Sequence, residues 1–147
     1  MEESMTGEAG ALVVAEDVRR ADEFGLNLNT LSMIELAYLG DGIFEMAARN
    51  RVLQQFRGHK IAKIHREVVS LVNCHHQADA LTDILPLLGE SEAEIVRRAR
   101  NASSKVPRNA NPSDYKRATA LEALLGYLYL QGDQVRMDYI LEHCFSK

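Results

Sequence analysis

Cysteine is nearly absent: the 147 residues contain only Cys74 and Cys144, far apart and outside any CxxC pattern. That excludes a disulfide framework, argues against a zinc site and suits a reducing compartment. Long apolar runs are missing as well. No stretch approaches the roughly 18 residues that a membrane span requires, and the N-terminus carries acids where a signal peptide would place its basic region. A cytoplasmic chain with no membrane association is expected. The sequence also has no nucleophile motif, glycine-rich phosphate loop, internal repeat or low-complexity tract. With 46% apolar residues, this length fits one domain able to bury a real core.

A strong charge of one sign is lacking too, and a net charge of −4 ordinarily disfavours a nucleic-acid partner. The average conceals two opposite segments. Residues 1–23 hold seven acids against Arg19 and Arg20, a net of −5, so the rest of the chain sums to +1. Between Arg97 and Arg117 stand seven basic residues (Arg97, Arg98, Arg100, Lys105, Arg108, Lys116, Arg117) and one acid, Asp114. This segment is either a footprint for a polyanion or a solvated helix end and loop.

Residues 1–25 read as a disordered or loosely attached acidic extension, and 26–147 as the folded domain. Asn29 and Thr30 offer caps for a helix from about Ser32 into the Arg51 region, with Leu36, Leu39, Ile43 and Met46 inward. After a break at Phe56 to His59, the pattern predicts a long helix from Lys60 to Ala80, with Ile61, Ile64, Val68, Leu71 and Val72 inward. A short helix is expected over Thr82–Leu88, ending at Gly89. Another, capped by Ser91 with Glu94 three residues on, runs to about Ala102. The turn-rich stretch from Ser103 to Pro112 is a loop. Ser113 and Asp114 restart a helix carrying Ala118, Leu121, Leu124, Leu125 and Leu128 as far as Gly132, and Val135–Cys144 closes the chain. No segment alternates like a strand, so the fold class is all-α.

Two of these helices contain something that packing does not demand. In Leu39-Gly40-Asp41-Gly42-Ile43-Phe44 an acid sits in an apolar helix between two glycines, each costing roughly 1 kcal/mol relative to alanine. In Glu122-Ala123-Leu124-Leu125-Gly126-Tyr127-Leu128 the anomaly recurs. A carboxylate in such surroundings must be paired, protonated or bound to a cation. If Gly40 and Gly126 let the helices approach closely, Asp41 and Glu122 could share a cation, and oxygen ligands of this kind suit Mg²⁺ or Mn²⁺. The bland alternative is a salt bridge from each acid to an arginine. Glu45, one turn after Asp41, is either an outer ligand or the i,i+4 partner of Arg49. Cys74-His75-His76 resembles a ligand cluster, but neighbours on a helix point about 100° apart and cannot readily share an ion. His59 and His65, beside Lys60, Lys63 and Arg66, either contact phosphate or are ordinary surface residues.

Leu39-Gly40-Asp41-Gly42-Ile43-Phe44 resembles the LGDAVL core of the ribonuclease III signature, and Glu122 to Leu130 resembles that family's second carboxylate helix, of EALIGAIYLD type. More narrowly, the chain is similar to the Mini-III ribonucleases, which consist of the catalytic domain alone. The likeness runs from about Leu31 onward and includes Arg97 to Ala102, Val106-Pro107 and Tyr115 to Thr119. It departs from full-length ribonuclease III at Ala37 and Thr119, where two further metal-site acids would stand. The resemblance implies a helical bundle and a Mg²⁺-dependent endoribonuclease, with Mn²⁺ possible, acting on double-stranded RNA. Asp41 and Glu122 would be the catalytic, metal-holding carboxylates. It further implies products with 5′-phosphate and 3′-hydroxyl ends, a homodimer with Tyr38 and Leu39 near its two-fold axis or in the core, and precursor large-subunit ribosomal RNA as substrate. Arg100, Lys105, Arg108, Lys116 and Arg117 are the expected phosphate contacts. The rival reading is a non-catalytic RNA- or ribosome-binding module on the same fold.

Overall fold

Two helices packed backbone to backbone organise the molecule, and the remaining helices are laid around them. A computed structural model describes residues 19–102 and 105–146. Of the expected acidic extension, residues 1–18 lie outside the described residues. Arg20–Glu23 form a short helix, α1, and Leu28–Thr30 a 3-10 turn. Then follow α2 (Met33–Phe56), α3 (Ile61–Val72), α4 (Cys74–Ile84), a 3-10 turn over Leu85–Leu87, α5 (Glu90–Asn101), α6 (Pro112–Gln131) and α7 (Gln134–Cys144). Among the described residues there is no strand, and no helix is long and apolar enough to cross a membrane.

α6 is the hub. It touches α2 most extensively and also α4, α5 and α7. Ala118 to Leu121, Ala123 to Gly126, Leu128 and Leu130 are all buried on it, so it is apolar nearly all round, as a helix enclosed by others must be. Asn111 starts α6 by accepting the Asp114 N–H at 3.0 Å. Gly132, with φ at +86°, ends it and turns the chain into α7. The α1 end is tied down by Arg20, whose guanidinium lies 4.4 Å over the Tyr129 ring and donates to the Tyr129 carbonyl.

Several local expectations are corrected. α2 is capped by Ser32: its hydroxyl accepts the Glu35 N–H at 3.0 Å, and the Glu35 carboxylate accepts the Ser32 N–H at 2.8 Å. Its buried face is Met33, Leu36, Ala37, Gly40, Phe44, Ala48 and Val52. Met46 is 63% exposed, and Leu39 and Ile43 sit at a groove. The close approach of α6 at Gly40 turns the stripe of Leu36, Ala37, Phe44 and Ala48 inward, which leaves Leu39, Ile43 and Met46 on the flank.

The long helix expected over Lys60–Ala80 is two helices. Asn73 has an extended backbone, its Oδ1 accepts the His76 N–H to start α4, and its Nδ2 donates to the carbonyls of Val69 and Ser70 at the end of α3. One side chain closes one helix and opens the next. Ile61, expected inward, is 75% exposed at the start of α3. α4 continues through Thr82 to Ile84, in place of a separate helix at Thr82–Leu88. α5 begins at Glu90, and Glu92, not Glu94, accepts the Gly89 N–H at 2.8 Å. Glu92 also receives two 2.7 Å bonds from Arg136 of α7, which donates a third to the Leu87 carbonyl. That pair bolts α5 to α7.

Candidate metal centre

Asp41 sits in mid-α2 and Glu122 in mid-α6, and glycines decide how near they come. A Cβ on Gly40 would overlap the backbone carbonyl of Glu122, and one on Gly126 would overlap that of Leu36. Because 40 meets 122 and 36 meets 126, the two helices run antiparallel. Only residues without a side chain allow this approach. Gly42 is different: a Cβ there would meet open space.

The result is a side-by-side pair of carboxyls. Burial pushes the Glu122 carboxyl up to about 8, with the hydrogen bond that its protonated form donates to Asp41 and the charge of Asp41 adding to the rise, while the side-chain amide of Gln77 opposes it. Asp41 is exposed to solvent. Among the described residues, no lysine or arginine is paired with either acid, so the salt-bridge alternative does not hold for them. Glu45 is the i,i+4 partner of Arg49, at 2.9 Å, and is taken up by that pair.

The residues present fit a hard divalent cation. A half-buried carboxyl whose pKa is raised by a second one beside it is protonated or cation-bound at neutral pH, and Mg²⁺ is commonly held by one or two protein carboxylates with waters and substrate phosphate completing its shell. Among the described residues no group of three or more His, Cys, Asp or Glu side chains is arranged to hold a metal. Ala37 and Thr119 flank the pair; both are buried, and the Thr119 hydroxyl donates to the Tyr115 carbonyl at 2.9 Å.

Two neighbours come from α4, which the sequence did not connect to the site. Gln77 is only 4% exposed. The half-buried Cys74 thiol is raised by burial first and by the charges of Asp114 and Glu122 next. No motif flags either residue; only the helix break at Asn73 hints that a new face begins there. His75 turns away, its Nδ1 3.0 Å from Asp114 and its Nε2 3.3 Å from Asp79. The His76 ring stacks on Phe145. His59 packs edge-on to Phe56, and His65 lines a shallow groove with Arg49 and Ile61.

The basic residues divide. Arg100 and Lys116 line one open groove of about 580 Å³ between α5 and the start of α6, and Lys105 and Arg108 are exposed on the loop joining those helices. Arg117 is drawn into the fold. It donates to the Thr82 hydroxyl at 2.7 Å and to Asp114 at 2.8 Å, bracing α6 against α4.

Residues 34–133 match the Ribonuclease III domain family. The chain is 46% identical over 114 residues to a Mini-ribonuclease 3 of Synechocystis, covering 78% of each chain. It is 42% identical over 119 residues to a Mini-ribonuclease 3 of Gloeobacter violaceus, covering 81% of this chain and 86% of that one. A crystal structure of a Fusobacterium nucleatum protein superposes with a TM-score of 0.70 at 34% identity, over 77% of this chain and 90% of that one. Both carboxylate helices fall inside the matched span. The chain therefore belongs to the ribonuclease III family, on the side of the Mini-ribonuclease 3 proteins, and is an endoribonuclease of that type.

Proposed function

We propose that this chain cleaves double-stranded RNA with the help of a divalent cation, Mg²⁺ with Mn²⁺ as a substitute, held by Asp41 and Glu122. The observation that carries the reading is the pair itself: two carboxyls from distant parts of the chain, Glu122 half-buried and Asp41 exposed, with no cationic side chain paired to either among the described residues. Phosphodiester hydrolysis needs a nucleophilic water, neutralised phosphate charge and a stabilised leaving oxygen, and a bound divalent cation supplies all three. Asp41 would hold it from the exposed side and the half-buried Glu122 from the other, after giving up its proton. Arg100, Lys116, Lys105 and Arg108 would take the phosphates flanking the cut. Duplex RNA offers shape, phosphates and 2′-hydroxyls more than base edges, so strict sequence preference is not expected.

The family resemblance extends the proposal to 5′-phosphate and 3′-hydroxyl product ends, to precursor large-subunit ribosomal RNA as substrate and to a cytoplasmic location. It also implies a homodimer. Tyr38 is 85% exposed, and beside it Leu39, Ile43, Met46, Met137 and Leu141 line an uncovered groove, a surface that a two-fold copy would bury.

One observation favours a second reading, a non-catalytic RNA- or ribosome-binding module. Ala37 and Thr119 leave the site with two acids. Incubating the protein with long duplex RNA, with Mg²⁺ and with chelator, separates the two. Cleavage in Mg²⁺ that stops with chelator supports the nuclease, and binding without cleavage in either condition supports the module.

A further inference from the structure

Arg49, Arg51, Arg97, Arg117 and Arg136 are each paired with a carboxylate, and Arg20 lies over the Tyr129 ring. Arg19 and Arg98 are different. They line one cleft of about 160 Å³, where the segment before α1 and the start of α2 meet α5 and the end of α6. Among the described residues no Asp or Glu lines this cleft, and neither arginine has an ion pair. Arg20, fixed over Tyr129 and bonded to its carbonyl, holds the backbone beside Arg19 in place. Acids on the adjoining elements are engaged elsewhere: Glu94, one turn before Arg98, with Arg97, and Glu35 with the Ser32 N–H.

Two guanidiniums that share a cleft without a counter-charge repel each other, and an anion between them removes that repulsion. The rest of the lining suits the same guest. Gln131 donates to the Tyr127 hydroxyl at 2.7 Å, so the hydroxyl's own proton remains to be donated. Leu36 and Ile95 add apolar surface, and surroundings of low dielectric strengthen a charged hydrogen bond made beside them. The cleft has room for several waters, each taking about 30 Å³ in the liquid, and hence for one tetrahedral oxyanion. Guanidiniums match phosphate oxygens in pairs.

We propose that the cleft between Arg19 and Arg98 is a binding site for a phosphate group, separate from the groove of Arg100 and Lys116. The two lie on opposite flanks of α5: Ile95 and Arg98 face the cleft, whereas Val96, Arg97 and Arg100 face the groove. A helix with its side chains is about 10–12 Å across, so a duplex laid over α5 can seat a backbone phosphate on each side. Free phosphate can fill the same place without RNA. The site stands whether or not Asp41 and Glu122 hold a cation.

Inorganic phosphate is titrated into the full chain at constant ionic strength and followed by calorimetry, for the parent, Arg98→Gln and the double variant Arg19→Gln with Arg98→Gln. Duplex RNA binding by the same proteins is measured from low to high salt in chelator, which prevents cleavage. The parent is expected to bind one phosphate, Arg98→Gln to weaken it about 10-fold, and the double variant to lose it. Without phosphate, the double variant should melt at or above the parent temperature, because the repulsion is gone; a merely structural pair of arginines would lower it. A salt slope reduced by about 1 in the double variant assigns the cleft to an RNA phosphate, and a parent-like slope with lost phosphate binding assigns it to free phosphate. Should the double variant fail to fold, Arg98→Gln alone carries both readings, since Arg98 is exposed on α5. Phosphate binding by the double variant equal to that of the parent overturns the site, as does no binding by the parent together with an unaltered salt slope.

Discussion

Gly40 of α2 lies directly against the backbone carbonyl of Glu122 on α6, so one residue before the first carboxylate stands the contact that delivers the second. Spacing between the acids is thus set by main chain, not by side chains that can rotate away. Alanine at Gly40 or Gly126 must push one helix off the other, at a cost on the order of 3 kcal/mol. Gly40→Ala is expected to lower the melting temperature and, in whatever folds, to weaken metal binding. Alanine at Gly42 meets open space, and by removing backbone entropy from the unfolded chain it should stabilise the fold by about 0.5–1 kcal/mol. Denaturant midpoints for the three variants check the contrast.

Removing one charge from the pair should end the chemistry and spare the fold. Asp41→Asn is expected to reduce cleavage of duplex RNA at least 1000-fold, an order-of-magnitude expectation for loss of metal-assisted hydrolysis, with unchanged circular dichroism and duplex affinity. Wild-type turnover in this variant would remove Asp41 from the site.

The raised carboxyl of Glu122 makes stability depend on pH in a definite direction. Folded, it keeps its proton up to about 8, against an ordinary value of 4.5. Between those values the unfolded chain binds fewer protons than the folded one, so metal-free stability is expected to fall as pH rises from about 5 to 8. Each pKa unit corresponds to about 1.4 kcal/mol. Melting curves should show the decline, Glu122→Gln should flatten it, and Mg²⁺, which binds the ionised form, should offset it.

Among the basic residues, exposure separates two kinds of effect. Lys105→Ala with Arg108→Ala is expected to weaken RNA binding and to reduce the slope of log affinity against log salt by about 2, one for each lost phosphate contact. Arg117→Ala is expected to lower the melting temperature instead, because it releases α4 from α6, and to leave the salt slope nearly unaltered. Filter-binding isotherms from 50 to 200 mM salt, run with thermal melts, distinguish the two.

The bolt between Glu92 and Arg136 predicts a purely structural phenotype. Arg136→Met leaves a nearly buried carboxylate facing an apolar side chain and should cost about 2 kcal/mol, discounted for the partial exposure of the arginine. Adding Glu92→Gln should recover much of that loss. Denaturant midpoints for the single and double variants measure the coupling.

Much of the fold is written locally. The capping pair Ser32 and Glu35, the Pro112 start of α6 and the stop at Gly132 act within a few residues, and the anomaly of acids beside glycines in apolar helices identified the two strands of chain that meet. Where a second local signal competed, the reading failed. Asn73 interrupts an apolar periodicity that runs through it from Ile61, because a single side chain satisfies groups on both sides of the break. At Gly89 the back-bonding glutamate is Glu92, whose choice over Glu94 depends on Arg136 waiting across the molecule.

Composition, periodicity and the paired acid-glycine anomalies are properties of the chain itself, and they determined an all-helical domain with Asp41 and Glu122 as its unusual residues. The folded arrangement decided the rest: that Glu92 meets Arg136, that Arg117 braces the fold and that Gly40 has a contact which Gly42 lacks. Each of these depends on which helix faces which across tens of residues. Local hydrogen bonding and side-chain periodicity carry no information about that until the helices have packed.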